Sequence, residues 1–404
     1  MNGSLTALVL SGGGARGAYE AGVVSGISSI LEGRAPGPLF DIFTGTSVGA
    51  INASHLAAHA DAADHGIRQL LELWQSLRME THVRLRLRQF LGWPRGLRKK
   101  APGEGEPSGV RWGRALLDPR PFEKLVEGAI PWRRLHENVR LGRVRALIVS
   151  ALNVATGRTY TFAELAPGRS LVTSRDPRRA SREDVVTADH VLASAAIPLL
   201  FPARRIGGSY YCDGGLRFNT PMSPAIRAGA KKLLIIALRA GNPVPEDEEE
   251  TIAEYPNPIF LLGKIFDALL LDPIEYDLQV LERTNRLFQV LEESMTPTEL
   301  ERVRTVVAAE RGLAYRPLEA LVFRPSEDIG VIAHDHLRER GHGRLASTSA
   351  MLLERAAALG TRVEADFLSY LLFDGGFARK LIELGRNDAF ARRSEVERFF
   401  SATP

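Results

Sequence analysis

Phe40 to Ser54 reads FDIFTGTSVGAINAS, and this stretch decides the fold. An apolar run stops abruptly at Gly45-Thr46-Ser47-Val48-Gly49, and a helix-compatible segment, Ala50 to Ala60, starts at once. The layout predicts a strand, a sharp turn carrying a serine, and a helix. The G-x-S-x-G spacing has a physical reason. A tight turn strains the serine and lifts its hydroxyl above the strand end, and flanking glycines avoid a Cβ clash where strand and helix nearly touch. The serine also stands at a helix N-terminus, where unpaired N–H groups and the dipole favour developing negative charge. Three fixed positions in five also arise by chance in ordinary loops, so the surrounding sequence must supply the context.

Upstream, Leu5 to Leu10 reads as a buried strand, Ser11 to Gly17 (SGGGARG) as a glycine loop, and Ala18 to Leu31 as a helix with Ala21, Val24, Ile27 and Leu31 near helical spacing. Gly12-x-Gly14-x-x-Gly17 fits a dinucleotide fingerprint, which also wants an acidic residue at the end of the next strand, about 20 residues on. Glu32 lies at that distance but closes a helix, Asp41 opens the second strand, and Ser47 has no role in such a site. The other reading is an oxyanion hole, with N–H groups of Gly13 and Gly14 receiving a negative oxygen and Arg16 nearby. Arg16 alone is more often a surface cation.

Downstream, Ile67 to Leu77 reads as an amphipathic helix and Val144 to Val154 as a strand with Thr159 to Phe162 beside it. Thr187 to Ala196 suits a short helix, Gly208 to Cys212 a strand running into Asp213-Gly214-Gly215, and Lys232 to Leu238 another buried strand. An aspartate at a strand end beside two glycines can turn its carboxylate into a cleft. A serine nucleophile needs a base within reach; that base is usually histidine, but a desolvated carboxylate can serve. Alone, D-G-G is a turn, and its second copy, Asp374-Gly375-Gly376, reads as a turn between helices.

The ordered set of GGGARG (Gly12 to Gly17), GTSVG (Gly45 to Gly49) and DGG (Asp213 to Gly215) resembles the patatin-like phospholipase family. So does the run ASAAIPLLFPARRIGGSYYCDGG, Ala193 to Gly215. The likeness covers roughly Leu5 to Leu238 and fades beyond Ala240. It implies a three-layer α/β/α sandwich and metal-independent hydrolysis of lipid acyl esters, with no cofactor. Ser47 would be the nucleophile and Asp213 its base, in a Ser-Asp dyad without histidine. The loop would supply the oxyanion hole through Gly12, Gly13, Gly14 and Arg16, with Gly17, Gly45, Gly49, Gly214 and Gly215 as motif glycines.

Alternating strands and helices over the first 240 residues independently indicate an α/β sheet covered on both faces, with function at the strand ends. Leu321 to Arg324 reads as a late strand returning to that sheet, which makes residues 251–312 a helical insertion. The expected division is a catalytic domain over residues 1–335, its motifs within 5–240, and a helical C-terminal extension over 336–404. Apolar Ile259 to Leu271 suggests a cover for an acyl cleft, against the plainer reading of a core helix.

The 404 residues suffice for a large core, and the composition is that of an ordinary soluble protein, 45% hydrophobic and 25% charged. No run of 18 apolar residues suggests a transmembrane helix. The N-terminus lacks a basic leader region, and a single cysteine, Cys212, excludes an internal disulfide and any cysteine-rich metal site. Both favour a cytoplasmic location. Charge is uneven: Thr81 to Arg145 holds 16 Lys/Arg against 6 Asp/Glu, so with a net +4 the remainder carries −6. A solvated basic edge is the simpler reading of VRLRLRQF (Val83 to Phe90) and the cations to Lys100. The functional reading is peripheral contact with an anionic membrane, with Phe90, Leu91 and Trp93 as interfacial anchors. Nucleic acid is not the expected partner; a lipid substrate is. Two rivals complete the set. A Ser-His-Asp esterase would draw on His334, His336 or His342, and a non-catalytic lipid-binding module would use the same fold without chemistry.

Overall fold

The structure is a computed structural model describing residues 4–32, 37–82, 115, 117–217, 219–240, 273–313, 317–340 and 368–401. The basic stretch from Val83, the apolar run Ile259 to Leu271, and His342 lie outside the described residues.

The strands are β1 Thr6–Leu10, β2 Ile42–Thr46, β3 Ala146–Asn153, β4 Thr159–Leu165, β5 Arg179–Glu183, β6 Arg204–Ile206, β7 Ser209–Asp213, β8 Lys232–Ile236 and β9 Glu319–Phe323. They form one mixed sheet in the order β5-β4-β3-β2-β1-β8-β9, with β7 on β3 and β6 on β7. The centre, β3-β2-β1-β8-β9, is parallel. The expected late strand is β9, which joins β8 from Lys232↔Glu319 to Ile236↔Phe323.

The main helices are α1 Gly17–Ile30, α2 Val48–Ala58, α3 Ala63–Ser76, α4 Pro119–Ala129, α5 Trp132–Arg140, α6 Ala188–Ser194, α7 Met222–Arg227, α8 Pro273–Ser294, α9 Pro297–Arg311, α10 Ile329–Arg340, α11 Gly375–Ala391 and α12 Arg393–Phe400. The central strands β1, β2, β3 and β8 are buried along nearly their whole length and mostly apolar, because both sheet faces are covered. Leu8 and Leu10 of β1 face the core shared with α1, α2, α3 and α11, and the alternate residues Ala7 and Val9 face a second core with Met222 and Ala225 of α7 and Leu278 of α8. Helices on both faces make the three layers.

α1 is buried almost all round, so it cannot be a surface helix of the usual amphipathic kind. Its outer side is covered by α11, where small residues let the backbones approach. A Cβ on Gly26 would strike Ala389 Cβ at 2.6 Å, and one on Gly385 would strike the α1 backbone. The Tyr19 hydroxyl of α1 donates to Asp388 Oδ2 of α11 at 2.8 Å. The C-terminal helices therefore share the main core, and α10 runs across the 335/336 division expected from the sequence.

Candidate active site

The strand-turn-helix read from Phe40 to Ser54 is β2, Ser47 and α2. Ser47 has φ 54° and ψ −124°; the other non-glycine residue with positive φ among those described is Leu199. Left-handed backbone on an L-residue is costly and is retained where the surroundings impose it. Here they do. A Cβ on Gly45 would run into the Gly49 carbonyl, and one on Gly49 would meet Leu10 O at 2.5 Å, so strand, helix and neighbouring strand are in backbone contact around the serine. The Ser47 N–H donates to Ser194 Oγ at 2.9 Å, and that hydroxyl donates to Ser150 O on β3 at 2.6 Å.

Strand register explains why Asp213 arrives beside Ser47. β2 runs parallel to β3 and pairs with it up to Thr46↔Ser150. β7 runs antiparallel to β3 and pairs from Asn153↔Tyr211 to Ala151↔Asp213. β4 occupies the other edge of β3 as far as Leu152, so β2 and β7 share one edge and their C-terminal ends meet head to head. The residues at those ends are Ser47 and Asp213. Gly214 leaves room for Ser150 O, which a Cβ would meet at 2.5 Å.

The Asp213 side chain is fully buried. Its Oδ1 accepts the Gly215 N–H at 2.7 Å, while Oδ2 has no partner of good hydrogen-bond geometry among the described residues. Burial pushes the carboxyl up to about 7, and the Ser47 hydroxyl and the Gly215 N–H pull it part of the way back. The Ser47 hydroxyl thus lies close enough to act on the carboxylate from a position short of a well-formed hydrogen bond. A carboxylate titrating near neutrality beside a strained serine is suited to taking and returning a proton.

The glycine loop between β1 and α1 lies over Ser47. A Cβ on Gly12 would come within 3.1 Å of Ser47 Cβ. The Gly12 N–H, expected above as one oxyanion donor, is already engaged: it donates to Asn219 Oδ1 at 2.9 Å, and Asn219 Nδ2 donates back to Gly12 O at 3.1 Å. Ser11 Oγ and Thr220 Oγ1 add a contact at 2.9 Å. The Gly13 and Gly14 N–H groups have no hydrogen-bond partner among the described residues, which leaves them able to receive an oxygen from outside the chain. Gly17 packs on Val48, the residue after the serine. Arg16 is buried and turned toward the C-terminal segment: its Nε donates to Ser369 Oγ at 2.7 Å, and its guanidinium lies 4.0 Å from the Tyr370 ring centroid.

A buried polar network supports α1 and α2. Asn52 Nδ2 donates to Glu20 Oε2 at 2.8 Å, and Trp74 Nε1 donates to Asn52 Oδ1 at 3.1 Å. Desolvation raises the Glu20 carboxyl well above the usual carboxylate range. The two candidate histidines among the described residues are engaged elsewhere. His336 Nε2 contacts Asp374 Oδ1 at 2.9 Å, and His334 Nδ1 contacts Asp335 Oδ1 at 3.2 Å. Among the described residues there is no cluster of three or more His, Cys, Asp or Glu able to hold a metal ion, and no helix is long and apolar enough to cross a membrane. Two cavities among the described residues, about 460 and 640 Å³, lie beside α7 and α8 and at the start of α3, and neither is lined by Ser47 or Asp213.

Sequence reasoning missed Ser194 and Asn219. Ser194 stands inside the quoted Ala193 to Gly215 run, and Asn219 follows the D-G-G by a few residues, but neither has a local pattern that announces its partner. A model of the family described as patatin-like phospholipase matches residues 8–226, more than half of the chain. A cGAMP-activated phospholipase of Pseudomonas aeruginosa is 30% identical over 214 residues, 53% of this chain and 53% of its own length. A cGAMP-activated phospholipase of Vibrio cholerae serotype O1 is 25% identical over 222 residues, 53% of this chain and 54% of its own. The chain thus spans about half the length of the curated relatives it matches. The solved structure of human GIVD cytosolic phospholipase A2 in complex with methyl gamma-linolenyl fluorophosphonate aligns with a TM-score of 0.36 and 12% identity, covering 98% of this chain and 59% of that one.

Proposed function

This chain belongs to the patatin-like phospholipase family, and from that premise we propose that it is a serine acyl hydrolase. It cleaves acyl ester bonds of phospholipids or related lipids and releases free fatty acid. The observation that carries the reading is the Asp213 carboxylate, buried, held through one oxygen by Gly215, and near neutral in its titration beside Ser47. In this reading Asp213 accepts the Ser47 proton as Oγ bonds to the acyl carbon. The carbonyl oxygen becomes an oxyanion facing the Gly13 and Gly14 N–H groups; one such donor is typically worth about 10²–10³ in rate. The tetrahedral adduct collapses, the C–O bond to the alcohol breaks, and Asp213 returns the proton to that alcohol. Water then attacks the acyl-serine with the same aspartate as base, and fatty acid leaves.

The test is fatty-acid release from mixed phospholipid vesicles by wild type, Ser47→Ala and Asp213→Ala, with and without a chelator. The expected result is release by wild type alone, indifferent to chelator. Both curated relatives are called cGAMP-activated, so one arm adds cGAMP. Labelling by a fluorophosphonate separates a silent enzyme from a non-catalytic lipid-binding module, which would leave Ser47 unmodified. Release that survived Asp213→Ala would overturn the dyad. Peripheral contact with anionic lipid through Arg84, Arg86, Arg88, Lys99 and Lys100 belongs to the same proposal, and vesicle binding unchanged after neutralising them would remove it.

A further inference from the structure

The glycine loop is braced on two sides. Asn219, close in sequence to Asp213, holds Gly12. The second brace comes from residues more than 350 positions away. Arg16, 2% exposed, donates to Ser369 Oγ at 2.7 Å and stacks on Tyr370, and Ser369 and Tyr370 are themselves buried. Gly14 takes a left-handed φ of 58°, and a Cβ there would run into the Tyr370 carbonyl. The loop conformation that leaves the Gly13 and Gly14 N–H groups unpaired is therefore moulded against this segment.

The segment is itself fastened. The Phe373 ring stacks on Trp74 of α3 with centroids 6.4 Å apart and planes 8° apart, and Phe122 of α4 packs against it at 6.3 Å. Gly375 N–H donates to Leu77 O at 2.8 Å, and Asp374 accepts the Gly376 N–H at 2.9 Å at the start of α11. A fixed anchor at one end and a buried cation–π and hydrogen-bond contact at the other suit a part that sets geometry.

We propose that Ser369 and Tyr370 are positioning residues of the active site: they hold Arg16, and through Arg16 they hold the glycine loop with its two free N–H groups aimed at the reacting carbonyl. Arg16 on this view is a strut between loop and C-terminal segment, with its guanidinium directed to Tyr370. The inference rests on the hydrolase reading for its catalytic consequence and on the contacts above for the mechanical coupling.

The experiment uses the full chain with Ser369→Ala, Tyr370→Leu, Tyr370→Phe and Arg16→Lys. Two assays are run: kcat and KM on a soluble p-nitrophenyl ester, and amide hydrogen exchange of the peptide spanning residues 11–17. A displaced oxyanion hole lowers kcat and leaves ground-state binding alone, so kcat should fall by about 10- to 100-fold in Tyr370→Leu and Arg16→Lys with KM within about twofold. Ser369→Ala should fall by a smaller factor. Tyr370→Phe keeps the ring and should restore most of the rate. Exchange at residues 11–17 should quicken in the same order. Exchange and kcat left unchanged by both Tyr370→Leu and Arg16→Lys would overturn the coupling. KM rising while kcat holds would overturn the positioning role. A wild type that neither turns over the ester nor takes a fluorophosphonate would sink the hydrolase reading alone, and the exchange comparison would still decide the coupling.

Discussion

Asp213-Gly214-Gly215 and Asp374-Gly375-Gly376 are the same tripeptide in one chain, and they begin in the same way. Each aspartate accepts the N–H of its second glycine through Oδ1, at 2.7 Å for Gly215 and 2.9 Å for Gly376. Each first glycine leaves room for a carbonyl oxygen from elsewhere, Ser150 in one case and Gln75 in the other. They part at the next contacts. Asp374 opens a 17-residue helix, takes the Phe377 N–H at 3.2 Å, and meets His336 at 2.9 Å. Asp213 ends a strand, is sealed from solvent, and keeps Oδ2 without a partner of good geometry among the described residues, beside Ser47. The tripeptide encodes the turn and its first hydrogen bond. What the carboxylate does is set by the element the sheet brings against its other oxygen.

The sharpest test of that contrast is the paired replacement of the two aspartates. Asp213→Asn keeps the turn and removes the proposed base, and kcat should fall by at least about 10³-fold, comparable to Ser47→Ala. Asp374→Asn keeps a helix cap of nearly equal quality and should change kcat by less than about threefold. Initial rates on one ester, normalised to protein that melts cooperatively, check both. Comparable losses from the two asparagines would break the comparison.

The second test is pH. Burial raises the folded-state carboxyl of Asp213 from its ordinary value of 3.8 to about 7. As a base it must be ionised, so kcat/KM should climb about tenfold per pH unit below about 7 and level above it. The same shift carries a stability consequence of fixed sign. A folded pKa above the unfolded one means the folded state holds the proton more tightly, so this group's contribution is complete below about 4 and is lost as pH rises through about 7. Asp213→Asn carries no charge at any pH, so its melting temperature should gain on wild type between pH 5 and pH 8. A gap independent of pH would show that Asp213 is not the titrating group.

How legible the site was depends on the range over which each feature is determined. The turn at Gly45 to Gly49 is local chemistry, and its glycines and Ser47 stand where the spacing put them. Bringing Asp213 to Ser47 needs β7 to take over the edge of β3 where β2 stops, which follows from register and from no single segment. Ser194 and Asn219 are ordinary polar residues until tertiary structure turns one toward the Ser47 N–H and the other toward Gly12. Arg16 lay in a motif, yet its direction is fixed by residues near the other end of the chain. On the fold side, the apolar strands were readable because burial on both faces leaves unbroken runs. β5, with the sequence RASRE, was not, because an edge strand with polar side chains has no such run. The C-terminal helices were recognisable as helices, but their place against α1 rests on matched small residues, Gly26 and Gly385, that show no pairing in the sequence.

The smaller effects belong to Asp374 and its histidine. Asp374→Ala removes the acceptor for two N–H groups at the start of α11, and capping losses of this kind run to about 1–2 kcal/mol. Because α11 covers α1 directly behind the glycine loop, that loss should register in global stability by chemical denaturation, with little change in KM. His336 should matter least. Its contact with Asp374 joins α10 to the cap, and His336→Gln, which can still donate, should cost under about 1 kcal/mol and under about threefold in rate. The measurement has weight beyond its size. His336 with Asp374 is a histidine-acid pair of the type a Ser-His-Asp enzyme requires, and Asp374 already spends the same Oδ1 on capping a helix. If His336→Gln silenced hydrolysis while the protein melted normally, the second tripeptide would be the catalytic one, and the head-to-head meeting of β2 and β7 would be structural only. If the rate holds, the proton at Ser47 has Asp213 to go to.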